Sequence, residues 1–264
     1  LLPKYRNKYQ SHPLGYWQEE FPIAADLGLE CLEFIFDFNE YRLNPLWFDQ
    51  GLKDIKEVTK QTGVLVNSVC ADFFMECSFH SPDVKTRTFA QNVATKLIQN
   101  CCSLEINDIV VPCVDKSRFA SNAQIEVFIY EIEKLIPLAE RLGVNLALET
   151  DLDPNSYKEL LEQLNSSCIT VNYDTGNSAS LGFDLEEEID AYGHRISDIH
   201  IKDRKRFGES VVLGQGDVDF SLFFSKFAPI EYNGALIMQC YRDGNGISIF
   251  KHQYNWLKNN YLNF

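Results

Sequence analysis

Residues 169–177 read ITVNYDTGN, an apolar, β-branched run that stops on an acid, Asp174, and gives way to turn and cap residues. The same cadence surrounds it. Residues 144–149 read VNLALE and end on Glu149. Residues 196–201 read ISDIHI, with His200 near the end, and residues 235–239 read ALIMQ and end on Gln239. Further strand-like runs cover 31–36, 64–70 and 108–113. Amphipathic stretches lie between them. Ile125, Phe128, Ile132, Leu135, Ala139 and Leu142 fall at three- and four-residue steps, one face of a helix, with Pro137 placed to kink it. Other helices are expected near 17–27, 47–61, 84–103, 156–164, 185–192, 221–227 and 249–258. Gly28, Gly63 and Gly143 stand where a helix ends before a strand. Residues 1–15 read as loop.

Strand starts recur about every 25–45 residues, the length of a βα unit. Near-continuous apolar strands alternating with helices imply a parallel sheet covered on its outside. The pattern predicts an α/β fold, a (β/α)8 TIM barrel, as one domain over residues 1–264. Seven strands are visible and a closed barrel takes eight. The simplest account places the first strand upstream of Leu1. A doubly wound open sheet is the competing arrangement, but no glycine-rich phosphate loop follows an early strand.

The composition narrows the function. A chain of 264 residues, 45% hydrophobic, supplies a full core. Its 24 basic and 38 acidic side chains give a net charge of −14, which repels nucleic acid and anionic membrane. Eight cysteines without a CxxC pair, several inside apolar runs, fit a reducing cytoplasm without disulfides. No signal peptide is evident, and no apolar run approaches the roughly 20 residues of a membrane span.

Four consecutive strands thus each end on a metal-competent side chain: Glu149, Asp174, His200 and Gln239. In a βα barrel those ends converge on the active site. Strand parity places Glu149 with Ala147 and Asn145, and Asp174 with Asn172 and Thr170. Leu146, Leu148, Val171 and Tyr173 fall on the face that meets the outer helices. Lys202 shares the parity of His200. Two carboxylates, one imidazole and one amide oxygen suit Mn²⁺ or Mg²⁺, with Zn²⁺ or Co²⁺ as the other candidates. Such a cation would polarise a substrate carbonyl and acidify the neighbouring C–H. The plainer reading is that a strand-end carboxylate caps a helix, as Asp151, Asp153 and Asp184 are expected to do, and that a single barrel histidine is hydrogen-bonded. Four such residues on four successive strands weigh toward the metal.

The segments LALETDL, VNYDTGNSASLGFD, DIHIKDR, LGQGDVDF and MQCYRD resemble the xylose isomerase-like TIM-barrel superfamily, and within it the sugar-phosphate isomerase/epimerase branch of L-ribulose-5-phosphate and ketose 3-epimerases. GLECLEFIFD and VCADFFM also fit, so the resemblance spans essentially the whole chain. It implies metal ligation by Glu149, Asp174 and His200, with Gln239 at the position where the best-known epimerases carry a second Glu. There the two Glu side chains act as a pair, one removing the proton and the other returning it on the opposite face. An amide ligates through its oxygen but is no base. With Glu149 as the one evident base, an aldose–ketose isomerase, an epimerase using Lys202 or water for the second proton, and a dehydratase all remain open. The resemblance also implies a homodimer or homotetramer.

Basic residues cluster in the loops after these strands: Lys116 and Arg118, then Lys202, Arg204, Lys205 and Arg206, then Arg242. Against a net negative chain such a patch favours a phosphate or carboxylate. Charges paired with Asp115, Asp203 and Asp243 are the alternative. Asn177, Lys202, Arg204, Arg242, Asp72 and Lys116 are the candidate substrate contacts, and Phe73, Phe74 and Phe119 are candidate pocket walls. The substrate expected is a sugar or sugar phosphate. An abasic-site endonuclease of the same superfamily needs more histidines near the site than His12, His80, His194, His200 and His252 supply. A non-catalytic sugar-binding protein is the remaining alternative, kept open by Gln239.

Overall fold

In a computed structural model, residues 1–230 and 232–262 are described. Seven parallel strands form one sheet in sequence order: β1 (Cys31–Ile35), β2 (Leu65–Cys70), β3 (Asp108–Cys113), β4 (Asn145–Thr150), β5 (Ile169–Asp174), β6 (Ile196–Ile201) and β7 (Leu236–Met238). The sheet curls into a nearly closed barrel with helices outside. Among the described residues, β1 and β7 do not pair with each other. A cavity of about 590 Å³ lies between them, lined by Leu1, Tyr9 and His12 of the N-terminal segment and by Glu33 and Ile237 of the two strands.

The expected alternation of faces is realised. Leu146, Leu148, Val171 and Tyr173 join the large apolar layer between strands and helices, with Phe21, Phe36, Phe73 and Phe128 fully buried there. Each such side chain contributes about 1.5–3 kcal/mol through burial. The barrel interior instead carries a small separate cluster, Cys70, Val110 and Ala147. These short side chains leave the barrel axis to polar groups.

The helical segment expected over 122–142 is two helices, Asn122–Glu133 and Ile136–Leu142. Pro137 lies in the first turn of the second, where its missing N–H breaks no helical bond, so the expected kink is a full break. Gly63 and Gly143 end their helices in the left-handed conformation, at φ +75° and +66°. Three features lie outside the sequence reading: a single turn at Phe73–Glu76, a helix at Thr175–Leu181, and a small hairpin pairing Asp203–Arg204 with Ser210–Val211. All eight cysteines are free. No described helix is long and apolar enough to cross a membrane.

Candidate metal centre and substrate cleft

Register brings the strand-end residues together. Asp174 pairs directly with His200 across β5 and β6, after a register shift at Val171/Asn172. Ligand atoms of Glu149, Asp174 and His200 then lie within 4.8 Å of one another, all buried. Asn172, one layer lower, donates its amide to Glu149 Oε2 at 3.1 Å and lies 3.2 Å from His200 Nδ1. Lys202 Nζ reaches Asp174 Oδ2 at 3.4 Å and Gln239 Oε1 at 2.8 Å. Gln239, just past β7, therefore joins the group through the lysine ammonium.

The segment DTGN acquires a role residue by residue. Asp174 accepts from the Asn177 backbone N–H at 2.8 Å and so caps the following helix as well as facing the group. Thr175 Oγ1 donates to the Lys202 carbonyl at 2.6 Å and accepts from the Lys202 N–H at 3.0 Å, which clamps the end of β5 to the end of β6. Gly176 leaves room for the lysine, since a Cβ there would sit 2.8 Å from Lys202 Cγ. Asn177 donates to Glu149 Oε1 at 2.6 Å and accepts from Arg204 at 2.9 Å. LGQGDVDF is explained the same way. Asp203 accepts from the N–H groups of Gly214, Gly216 and Val218, and a Cβ on Gly216 would meet Asp203 Oδ1 at 1.8 Å.

Glu33, on β1, was not among the expected site residues. Its carboxylate lies 3.0 Å from His200 Nε2 and accepts from Ser68 Oγ at 2.8 Å. The signal was a lone carboxylate in the middle of an apolar strand. Asp198 was also missed, although it shares a face with His200 two residues on. Glu33, Asp198 and His200 form a second grouping of ligand-type atoms. Burial and the neighbouring Glu33 push the Asp198 carboxyl well up, which keeps its proton on and makes it a poor ligand. We read this deeper trio as the support of the imidazole.

The electrostatics fit a cation. Burial, reinforced by Asp174, pushes the Glu149 carboxyl up. Burial disfavours charge on His200, yet Glu33 and Glu149 outweigh it and lift the imidazole to about 10. Lys202 is likewise raised by Asp174 and Glu149 against its own burial. The carboxylates thus draw every nearby base into its charged form, the demand a divalent ion satisfies. With such an ion, a neutral His200 would give its Nε2–H to Glu33 and turn Nδ1, 3.9 Å from Asp174 Oδ2, toward the metal. The donor set fits.

Above the group opens a cleft of about 580 Å³. Of the expected residues, Asp72, Glu149, Asn177, Lys202, Arg204 and Gln239 line it, as does Arg118. The loop cations otherwise disperse. Lys116, 71% exposed, pairs with Glu76, Arg118 with Asp151 at 3.2 Å and Lys205 with Asp217. Arg242 bonds the Leu1 and Leu2 carbonyls and lines the cavity between β1 and β7. Lys116 and Arg242 thus lie away from the cleft. Phe73 and Phe74 are core residues, and Phe119 packs on His80 and Phe128.

A barrel of this topology is shared with known proteins. Residues 21–260 match the xylose isomerase-like TIM-barrel family, and the chain belongs to it. A putative L-ribulose-5-phosphate 3-epimerase of Haemophilus influenzae is 29% identical over 243 residues, covering 87% of this chain and 85% of its own. An L-ribulose-5-phosphate 3-epimerase of Salmonella typhi is 26% identical over 236 residues, covering 86% and 83%. Among solved structures, a D-psicose 3-epimerase of Clostridium cellulolyticum superposes with a TM-score of 0.76 at 18% identity, over 95% of this chain and 94% of that one. A zinc-bound IolI protein gives 0.75 at 18%, over 94% of each. The chain is an isomerase-class enzyme.

Proposed function

We propose that this enzyme epimerises or isomerises a ketose or ketose phosphate, and that it depends on a divalent metal ion, Mn²⁺ or Mg²⁺. The observation that carries the reading is Glu149. It is a buried carboxyl on the floor of the cleft, one of three convergent metal-type ligands, held from both oxygens by Asn172 and Asn177. Those two amides aim the carboxylate as the base that takes the proton from the carbon next to the substrate carbonyl. A cation held by Glu149, Asp174 and His200, with Gln239 completing the set, would supply Lewis acidity to that carbonyl. Lys202 brings its ammonium charge to the oxygen that turns negative as the proton leaves. Asn177 and Arg204 offer hydrogen bonds to substrate oxygens at the wall of the cleft.

The names of the relatives point to L-ribulose 5-phosphate or a free ketose such as D-psicose. Incubation of either with Mn²⁺ in D2O is expected to place deuterium on the carbon beside the carbonyl. Absence of exchange across a panel of ketoses and ketose phosphates would refute the reading. Gln239 favours one second reading, a dehydratase on the same site, because the second strand-end carboxylate is lacking. A product lighter by one water distinguishes it.

A further inference from the structure

We propose that Asp72 is the acid–base group on the second face of the substrate, acting opposite Glu149 on the same carbon. The proposal rests on the epimerase reading above and assigns the proton transfer that Gln239, a neutral amide, does not perform. Asp72 lies two residues past the end of β2, and β3 lies between β2 and β4, which carries Glu149 near its end. Both side chains line the one cleft, together with Lys202 and Gln239. Asp72 begins the single turn Phe73–Glu76, yet its carboxylate does not cap that turn. Its hydrogen-bond donor is the Cys70 thiol, at 3.3 Å, and among the described residues no ion pair joins it, Lys202 pairing with Asp174 and Arg118 with Asp151 instead. Asp72 is half-buried, and a carboxyl in that setting is ordinarily capped or paired. This one is left facing the place where substrate binds.

Its protonation suits the task. Burial, opposed by the Cys70 thiol and reinforced by Asp37, Glu149 and Glu33, pushes the Asp72 carboxyl up to about 7. The charged groups that act on it most strongly are acidic, Asp37 just beyond β1, Glu149 and Glu33 on β1, while Lys8, Arg118, Lys202 and Arg204 line the same cleft without pairing with it. Both protonation states are then populated near neutral pH, as a group that is acid in one direction and base in the other requires. Lys202 is less suited. Fixed between Asp174 and Gln239 and held cationic by its neighbours, it does not readily act as the base of the reverse reaction.

The step balances. Glu149 takes the proton from one face and leaves an enediolate. The Asp72 O–H protonates the opposite face of the same carbon and becomes a carboxylate. Solvent then returns a proton to Asp72 and removes one from Glu149.

The test uses the Mn²⁺-loaded enzyme with L-ribulose 5-phosphate and D-psicose in D2O. Asp72→Asn is expected to keep deuterium exchange into recovered substrate, since Glu149 still works alone, while epimer formation falls by about 10²–10⁴. Epimer at the unaltered enzyme's rate would overturn the role of Asp72 and leave that of Glu149 standing. So would a parallel loss of exchange and epimer in a folded variant, which marks a binding role. Failure of exchange in the unaltered enzyme would instead remove the epimerase reading itself, and this assignment with it. Cys70→Ala gives a second readout. Removing the thiol that holds the Asp72 carboxyl down is expected to move one limb of the kcat/KM profile to higher pH. That limb is the alkaline one in the direction where Asp72 is the acid and the acidic one in reverse. Unmoved limbs would refute the proposal.

Discussion

The two ends of the barrel interior both bury carboxylates, but they use them differently. At the N-terminal end of the strands, Asp108 of β3 accepts from Asn145 of β4 at 3.0 Å and from Ser197 of β6, and Ser197 also reaches Thr170 of β5 at 2.7 Å. The donors there are neutral, and the network closes on itself across four strands. At the C-terminal end, Glu149 and Asp174 meet amides, an imidazole and an ammonium, and the group opens upward into the 580 Å³ cleft. A buried carboxylate by itself therefore does not mark an active site. Convergence of several on one point, cationic neighbours and an opening to solvent together do.

The largest effect expected from breaking this contrast is at Glu149. Glu149→Gln keeps the shape and an oxygen ligand but removes the base. Turnover and deuterium exchange are expected to fall by about 10²–10⁴, with the fold intact by circular dichroism. Exchange at an undiminished rate would move the base elsewhere. Next in size is Glu33, which acts through His200. Glu33→Gln is expected to weaken Mn²⁺ binding about 10–100-fold, measured by titration calorimetry, because it loosens the orientation of the imidazole. An unchanged affinity would show that His200 is held by Asn172 alone.

Much of this contrast was legible along the chain. Each of the four strand-end residues closes an apolar run, and side-chain alternation already sent Leu146, Leu148, Val171 and Tyr173 to the outer layer where the structure places them. Glu33 stood out only as a lone carboxylate in an apolar run, and its role was not legible, because its partner is 167 residues away and their meeting depends on how the barrel curls. The helix Thr175–Leu181 escaped because TGNSASL has no apolar periodicity. It forms because Asp174 caps it and Gly182 ends it at φ +76°. The loop cations misled for a related reason. Their shared place in loops after the strands grouped Arg242 with Lys202 and Arg204, whereas the turn after β7 carries the Arg242 guanidinium onto the N-terminal segment.

The closed end supplies a smaller effect of another kind. Asp108→Ala leaves the half-buried Asn145 amide without its acceptor and the Ser197 hydroxyl with Thr170 alone. Stability is expected to drop by about 1–3 kcal/mol in urea unfolding, while kcat and Mn²⁺ affinity stay near those of the unaltered enzyme. A large loss of kcat in a folded Asp108→Ala enzyme would mean that the two ends are coupled, through Asp198 and Glu33.

The smallest effect is expected at Lys116, whose reach toward a substrate anion competes with the exposed pair it makes with Glu76. Exposed pairs of this kind contribute about 0–1 kcal/mol. Lys116→Ala is therefore expected to leave stability nearly unchanged and the KM for a ketose phosphate within about twofold, since its exposed ammonium is screened and does not line the cleft. Arg204→Ala sharpens the comparison. Its guanidinium lines the cleft and bonds the Asn177 side chain that in turn holds Glu149, so its loss is expected to raise KM and lower kcat together. If Lys116→Ala instead raised KM for a ketose phosphate tenfold while sparing the free ketose, the lysine would have to leave Glu76 and swing over the cleft on binding. The boundary of the functional end would then extend to the loop after β3.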